Sequence, residues 1–306
     1  MKKLNFSWND IEDPTGYLFS LTKALSAVVK HSPFSELYED VIATSGFAFR
    51  MWVSSDLCPS ATSIWDFSKQ KEWVENSGLT CNYIERLWNQ DSLEEERRLA
   101  AIYMIKESID NDLAVVAWDI SGGEWGIITG YDDSTNTLST LKIDWSEDFV
   151  AYNDLGKLEI PILSVLAITG KSNKLESDIM RGTIQMAVSH LKGDEWCENA
   201  KGLDAYSELI HFIKEKLEPS SCWNLAYFLG TYASLKLYAY KFFHKYDLSE
   251  LATMYKIIYD AWLAAYLLKD SGEFTEPSIY TQVISHLEKA YQTEQEALKK
   301  METYLL

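Results

Sequence analysis

The residues that thiol and metal chemistry need are scarce in this chain. Its 306 residues include four cysteines and five histidines. Cys58, Cys81, Cys197 and Cys222 form no Cys-x-x-Cys pair and lack the spacing of a zinc site. With no secretion signal in view, free thiols are expected rather than disulfides. His31, His190, His211, His244 and His286 share no motif and no His-Glu-x-x-His, so each reads as a surface or packing residue rather than a metal ligand. No apolar run reaches the ~18 residues that span a bilayer. Residues 1–10 lack the apolar core of a signal peptide, so a cytoplasmic protein with no membrane partner is expected. Gly122-Gly123 is a turn and not a phosphate loop, and nothing calls for a cofactor or a metal.

Basic residues are also few. The net charge is −18, and it is uneven. Residues 1–170 hold 13 basic and 27 acidic residues, a net of −14; residues 171–306 hold 15 and 19, a net of −4. An acidic N-terminal half disfavours nucleic acid and anionic membranes and would tolerate a cationic ligand, such as an aminoglycoside or a polyamine. The plainer reading is a solvated, solubilising surface. What the chain does have is a globular composition, 47% hydrophobic and 13% aromatic, and enough length for one large domain or two ordinary ones.

The stretch Glu124-Trp-Gly-Ile-Ile-Thr-Gly-Tyr-Asp-Asp133 lies between apolar strands at residues 113–120 and 137–144, with turns at Gly122-Gly123 and Asp132-Asp133-Ser134. This predicts a three-stranded antiparallel meander. Upstream, residues 10–14 read as a helix start, with Asp13 as cap and Pro14 in the first position, and the helix running to His31. A second helix is expected over residues 35–43. Residues 47–53 could be a strand or a buried helical turn, residues 54–70 read as loop, and a short helix falls near residues 71–77. A long helix follows Ser92, whose capping box is completed by Glu95. A last strand near residues 158–169 carries a proline, so it should start or edge the sheet. Beyond a linker at residues 170–178, helices are expected near 177–192, 202–217, 221–246, 248–269 and 277–304, a bundle-like set with no internal repeat.

In the papain-like cysteine peptidases and their relatives, a strand of the 124–133 kind starts with the catalytic histidine and runs to Gly-Tyr-Asp. Helix 14–31, then Ser45-Gly-Phe-Ala-Phe-Arg50, then Thr129-Gly-Tyr-Asp132, then Gly202-Leu-Asp-Ala-Tyr206 occur in that order. The chain resembles, in pieces over residues 10–215, the bacterial family named for the butirosin biosynthesis protein H N-terminal domain. That resemblance implies a papain-like fold. Its named member is an acyltransferase that moves an aminoacyl group from a carrier protein to an aminoglycoside. Its chemistry implies a thiolate at a helix N-terminus, a histidine base and an Asp or Asn to orient it.

This sequence departs from that pattern. The helix start offers Thr15, Gly16 and Tyr17, with Ser20 one turn in, and no cysteine. The histidine position offers Glu124 or Trp125, and the orienting position offers Asp144. Glu124 could act as a base for Thr15 or Ser20, against its reading as a solvated turn carboxylate. Cys222, at a helix start, could have a lowered pKa, against simple packing. Arg50, after an apolar run, reads either as a buried ion pair or as a ligand-carboxylate clamp. The aromatics from Trp223 to Tyr246 could line a pocket, against helix packing.

The expected fold class is α+β: a papain-like domain over residues 1–170 with a small antiparallel sheet, then an all-α domain over residues 171–306. The leading functional expectation is a catalytically degenerate member, in secondary metabolism by its family context, that binds a small molecule or peptide in the former cleft. Thr15, Gly16, Glu124 and Asp144 would be its degenerate catalytic positions, and Arg50, Glu124, Trp125 and Asp144 would bind the ligand. The alternatives are an acyltransferase or amide hydrolase with a substituted nucleophile, served by an acyl carrier protein, and a scaffold with no ligand. Glu124 and Asp144 are expected at one sheet edge, repelling each other and raising at least one pKa.

Overall fold

The computed structural model describes residues 1–8, 11–63, 65–120, 122–158, 160–195 and 199–306. Asp10, in the expected helix start, and Cys197 lie outside the described residues. In chain order the elements are β1 (Lys2–Lys3), α1 (Ser20–Lys30), α2 (Asp40–Thr44), β2 (Trp52–Val53), α3 (Gln70–Glu75), β3 (Leu79–Arg86), α4 (Glu94–Asp110), β4 (Val115–Ala117), β5 (Gly126–Asp132), β6 (Thr137–Leu141), β7 (Glu147–Ala151), β8 (Leu163–Lys171), α5 (Glu176–Lys192), β9 (Ala200–Lys201), α6 (Asp204–Glu215), α7 (Cys222–Lys245), α8 (Ser249–Leu267) and α9 (Pro277–Leu305). The chain is mixed α and β with an antiparallel sheet.

The chain divides into two compact units, each discontinuous in sequence. One comprises Met1–Glu12, Ser20–Val41 and Phe67–Leu175; the other comprises Asp13–Phe19, Ile42–Asp66 and Glu176–Leu306. The C-terminal limit of the first falls near the expected linker. Two N-terminal segments, however, belong to the second unit, against the simple division at residue 170. The linker is also shorter than its composition suggests, because Gly170 and Lys171 are still paired with Thr80 and Leu79.

The first unit is built on a sheet in the order β3-β8-β4-β5-β6-β7, with β1 paired to β5. The meander is therefore β4-β5-β6-β7, one strand longer than expected. Every described pair is antiparallel, and Ile127 opposite Leu141 sets the central register. Helix α4 covers one face, burying Ala101, Ile105 and Ile109 against Val115, Ile128, Leu138 and Val165. Its expected capping box does not form: α4 starts at Glu94, after a 3₁₀ turn at Asp91–Leu93, with no side-chain cap. Strand β8 is interior rather than at an edge; Pro161 precedes it, so its missing N–H costs the ladder nothing.

In the second unit α7, α8 and α9 pack in sequence, and α6 and α5 pack on α9. Residues 47–53 resolve into a 3₁₀ turn at Phe47–Phe49 and the strand β2, which pairs with β9. The aromatics of α7 are mostly core. Tyr238, Phe242 and Phe243 are buried, and Phe49 packs edge-on against Phe242, Phe243 and Tyr255. Gly230 is required, since a Cβ there would fall 2.8 Å from the ring of Tyr17 and 3.0 Å from that of Tyr266.

Candidate functional site

The site starts with where α1 begins. Pro14 does not open a helix: Gly16 has φ +78°, a left-handed backbone that ends any right-handed turn. Asp13 caps a loop instead, its Oδ1 accepting the N–H groups of Gly16 and Leu18, each at 3.0 Å. Thr15, in that loop, donates to the carbonyl of Gly230 at 2.9 Å and shares a hydrogen bond with Ser234 at 2.8 Å. Thr15 and Gly16 are thus loop residues, not the helix N-terminus, and Thr15 is engaged in holding the loop to α7. The first helical residue is Ser20.

The second component is the turn before β5. Asp119 organises it, its two carboxylate oxygens accepting the N–H of Gly123 at 2.7 Å and of Ile160 at 2.9 Å. Gly122 and Gly123 are both left-handed there, at φ +71° and +80°. The turn delivers Glu124 and Trp125 to the start of α1. Ser20 Oγ donates to Glu124 Oε2 at 2.5 Å, and the N–H of Trp125 donates to Ser20 Oγ at 3.4 Å. Trp125 is fully buried, its ring 5.3 Å from that of Trp118 and 6.2 Å from that of Phe67. Ser20 is 3% exposed. Burial pushes the Glu124 carboxyl above its ordinary range, partly offset by the hydrogen bond from Ser20.

Asp144 does not join them. It lies in the turn after β6, where its Oδ1 accepts the N–H of Ser146 at 3.0 Å and its hydroxyl at 2.6 Å. Those bonds hold its carboxyl below the ordinary range, with Lys142 adding to the effect. The expected mutual repulsion is absent: Glu124 responds to burial and Ser20, Asp144 to its own turn and Lys142. The register does bring both strand ends to one end of the sheet, but the Asx turn folds Asp144 back on its own backbone. Replacing Asp144 with Ala should therefore move the unfolding midpoint by less than about 2 °C. A larger loss, measured by thermal unfolding, would show that Asp144 supports more than its own turn.

Arg50 belongs to the second unit and serves as a buried ion pair. Its Nε donates to Glu195 Oε2 at 2.9 Å and its Nη1 to the carbonyl of Thr62 at 2.9 Å, with the guanidinium 4.1 Å from the ring centroid of Trp52. His190 Nδ1 sits 2.7 Å from the other oxygen of Glu195. Burial would raise the Glu195 carboxyl, but the charge of Arg50 and the His190 contact override it and hold it at about 2. The sequence marks Arg50 by the apolar run before it and gives no sign of either partner, since both lie at positions with no motif.

Neither Cys81 nor Cys222 offers an activated thiol in their place. Burial and the nearby Glu75 push Cys81 up to about 12. Cys222 is raised as well, by burial and Glu273, so its place at the start of α7 does not lower its pKa. Among the described residues no group of His, Cys, Asp and Glu could hold a metal ion, and no helix is long and apolar enough to cross a membrane. No family model matches the chain, and no curated protein matches it.

Proposed function

We propose that this is a catalytically degenerate papain-like protein of the butirosin-H-like kind that binds a small molecule or peptide beside Ser20 and Glu124. The observation that carries the reading is the part-buried Ser20–Glu124 hydrogen bond: the first residue of α1 meets a residue of the turn before β5. In the fold the sequence resembles, those are the places of the nucleophile and of its base. The chemistry offered by these two residues is much weaker than that of a thiol and an imidazole. A thiol near 8.5 and an imidazole near 6.5 differ by about two pKa units, so transfer between them is easy. A serine hydroxyl is far more basic as an anion, and a carboxylate is a weaker base than an imidazole. Ser20 is also nearly sealed from solvent. The pair therefore fixes the start of α1 to the turn before β5, and Glu124, the more accessible partner, supplies the polar contact.

A cationic ligand suits a carboxyl whose charged form is disfavoured by burial, because the cation restores what desolvation removes. The test uses spermidine and an aminoglycoside as probes, read by thermal shift at pH 7.5. The expected result is stabilisation of the parent chain and its loss in Glu124→Gln. Equal stabilisation of both would contradict binding at this site.

The second reading is acyl transfer or amide hydrolysis with Ser20 as nucleophile, favoured by the 2.5 Å contact, the helix N-terminus and the upward-shifted carboxyl. A fluorophosphonate and p-nitrophenyl acetate decide between the two. The degenerate reading expects no covalent adduct on Ser20 by intact mass; an adduct absent from Ser20→Ala would establish the alternative.

A further inference from the structure

Helix α4 has apolar residues on two faces. Its inner face, with Ala101, Ile105 and Ile109, is consumed by the sheet. Its outer face carries Leu99, Ala100 and Tyr103, and Leu99 and Tyr103 are 54% and 72% exposed. Leu99 and Tyr103 are one turn apart, so they and Ala100 form one continuous stripe rather than scattered apolar residues. A surface helix ordinarily presents polar residues there. The exposed charges around the stripe are of one sign. Glu95 and Glu96 lie one turn before it and Glu107 one turn after it, all exposed, and none has a basic partner among the described residues. The basic residues of this stretch are less exposed: Arg98 is buried and paired to Glu94, Lys106 is paired to Asp133, and Arg97 is half-buried.

From this arrangement the geometry points to a docking surface for a basic amphipathic helix, independent of the Ser20–Glu124 site. An apolar centre about one turn long, with carboxylates a turn away at each end, matches a helix with an apolar i, i+4 pair flanked by Lys or Arg on both sides. The unpartnered carboxylates supply the charge complementarity, which sets orientation and speeds encounter. A second copy of this chain does not fit, because Glu95, Glu96 and Glu107 would face their own kind on a protein of net charge −18. Anionic membrane is disfavoured for the same reason.

The experiment titrates the full-length chain against a designed, fluorescein-labelled helical peptide with a Leu i, i+4 pair and two Lys on either side, followed by anisotropy. Saturable binding is expected, weakening at least about tenfold between low salt and ~0.5 M salt, as the screening length shortens. Tyr103→Glu and Leu99→Glu should each weaken it at least about tenfold, and Glu96→Lys with Glu107→Lys should weaken it similarly. Because these positions are exposed, circular dichroism should show every variant folded. A peptide with Glu in place of Lys should not bind. The proposal is overturned if that acidic peptide binds equally well, if Tyr103→Glu leaves the affinity unchanged, or if sedimentation shows the stripe is covered by self-association that Tyr103→Glu abolishes.

Discussion

Glu294→Ala should cost the protein about 3–5 kcal/mol, the largest effect expected of any single substitution in this chain. Lys236 and Glu294 face each other at 2.6 Å with no exposure of either side chain. The second oxygen of Glu294 accepts the hydroxyl of Tyr206 at 2.7 Å, and Tyr206 in turn accepts the indole N–H of Trp262 at 2.8 Å. Four residues from α6, α7, α8 and α9 thus share one hydrogen-bonded network inside the second unit. Removing the carboxylate leaves an ammonium with no counter-charge in a dry interior, where burial already pulls the Lys236 pKa down. The loss should appear as a fall of roughly 10 °C or more in the unfolding midpoint. The double substitution Lys236→Met with Glu294→Leu should recover most of it, because exchanging a buried pair for well-packed apolar residues is often neutral or better. If Glu294→Ala proves as stable as the parent, the network contributes nothing and the packing account of the bundle fails.

Arg50→Met should be nearly as damaging at neutral pH, at about 3–5 kcal/mol, and its cost should depend on pH. Glu195 is held at about 2 in the folded chain against an ordinary 4.5. A carboxyl depressed by folding contributes stability above its unfolded pKa and loses it as pH falls toward the folded one. In the parent that contribution is full above about pH 4.5 and fades between 4.5 and 2. Without Arg50 only the His190 contact opposes burial, so the carboxyl is less depressed by folding and the variant loses less stability than the parent as pH falls. The gap between parent and variant, from urea unfolding, should be widest near pH 7 and narrow by about pH 3. A gap of the same size at both values would mean that Arg50 acts through packing alone, its guanidinium lying 4.1 Å from the ring centroid of Trp52 and 5.4 Å from that of Trp65.

Much of the helical half is legible in the sequence because its signals are local and strong. The expected helices at 177–192, 221–246 and 277–304 differ from α5, α7 and α9 by at most a residue at each end. Strands are harder to read. β3 and β7 go unannounced: β7 exposes Glu147, Asp148 and Phe149, which removes the apolar alternation that marks a strand. β3 is half-exposed, with Asn82 outward, and its pairing partner β8 is remote in the chain. Asp13-Pro14 is a good helix opening in isolation, but Gly16 in the left-handed region overrides it and delays the start of α1. That shift decides the candidate site, since it moves Thr15 out and brings Ser20 in. Glu124 and Trp125 can be found from their place before Gly-Tyr-Asp. Asp144 is drawn in by register alone, which fixes the strand and not the side chain of a turn residue.

The proposal that Ser20 and Glu124 stand where a thiol and an imidazole would stand is most directly tested by restoring that pair. In Ser20→Cys with Glu124→His, the difference absorbance of the thiolate near ~240 nm is followed against pH, relative to the parent, and needs no reagent to reach the buried site. The account predicts an added thiolate already present at about pH 6, formed as the imidazole takes the thiol proton at the start of α1, and absent at that pH in Ser20→Cys alone. An added thiol that titrates at or above the ordinary value of about 8.5 in the double variant would contradict it.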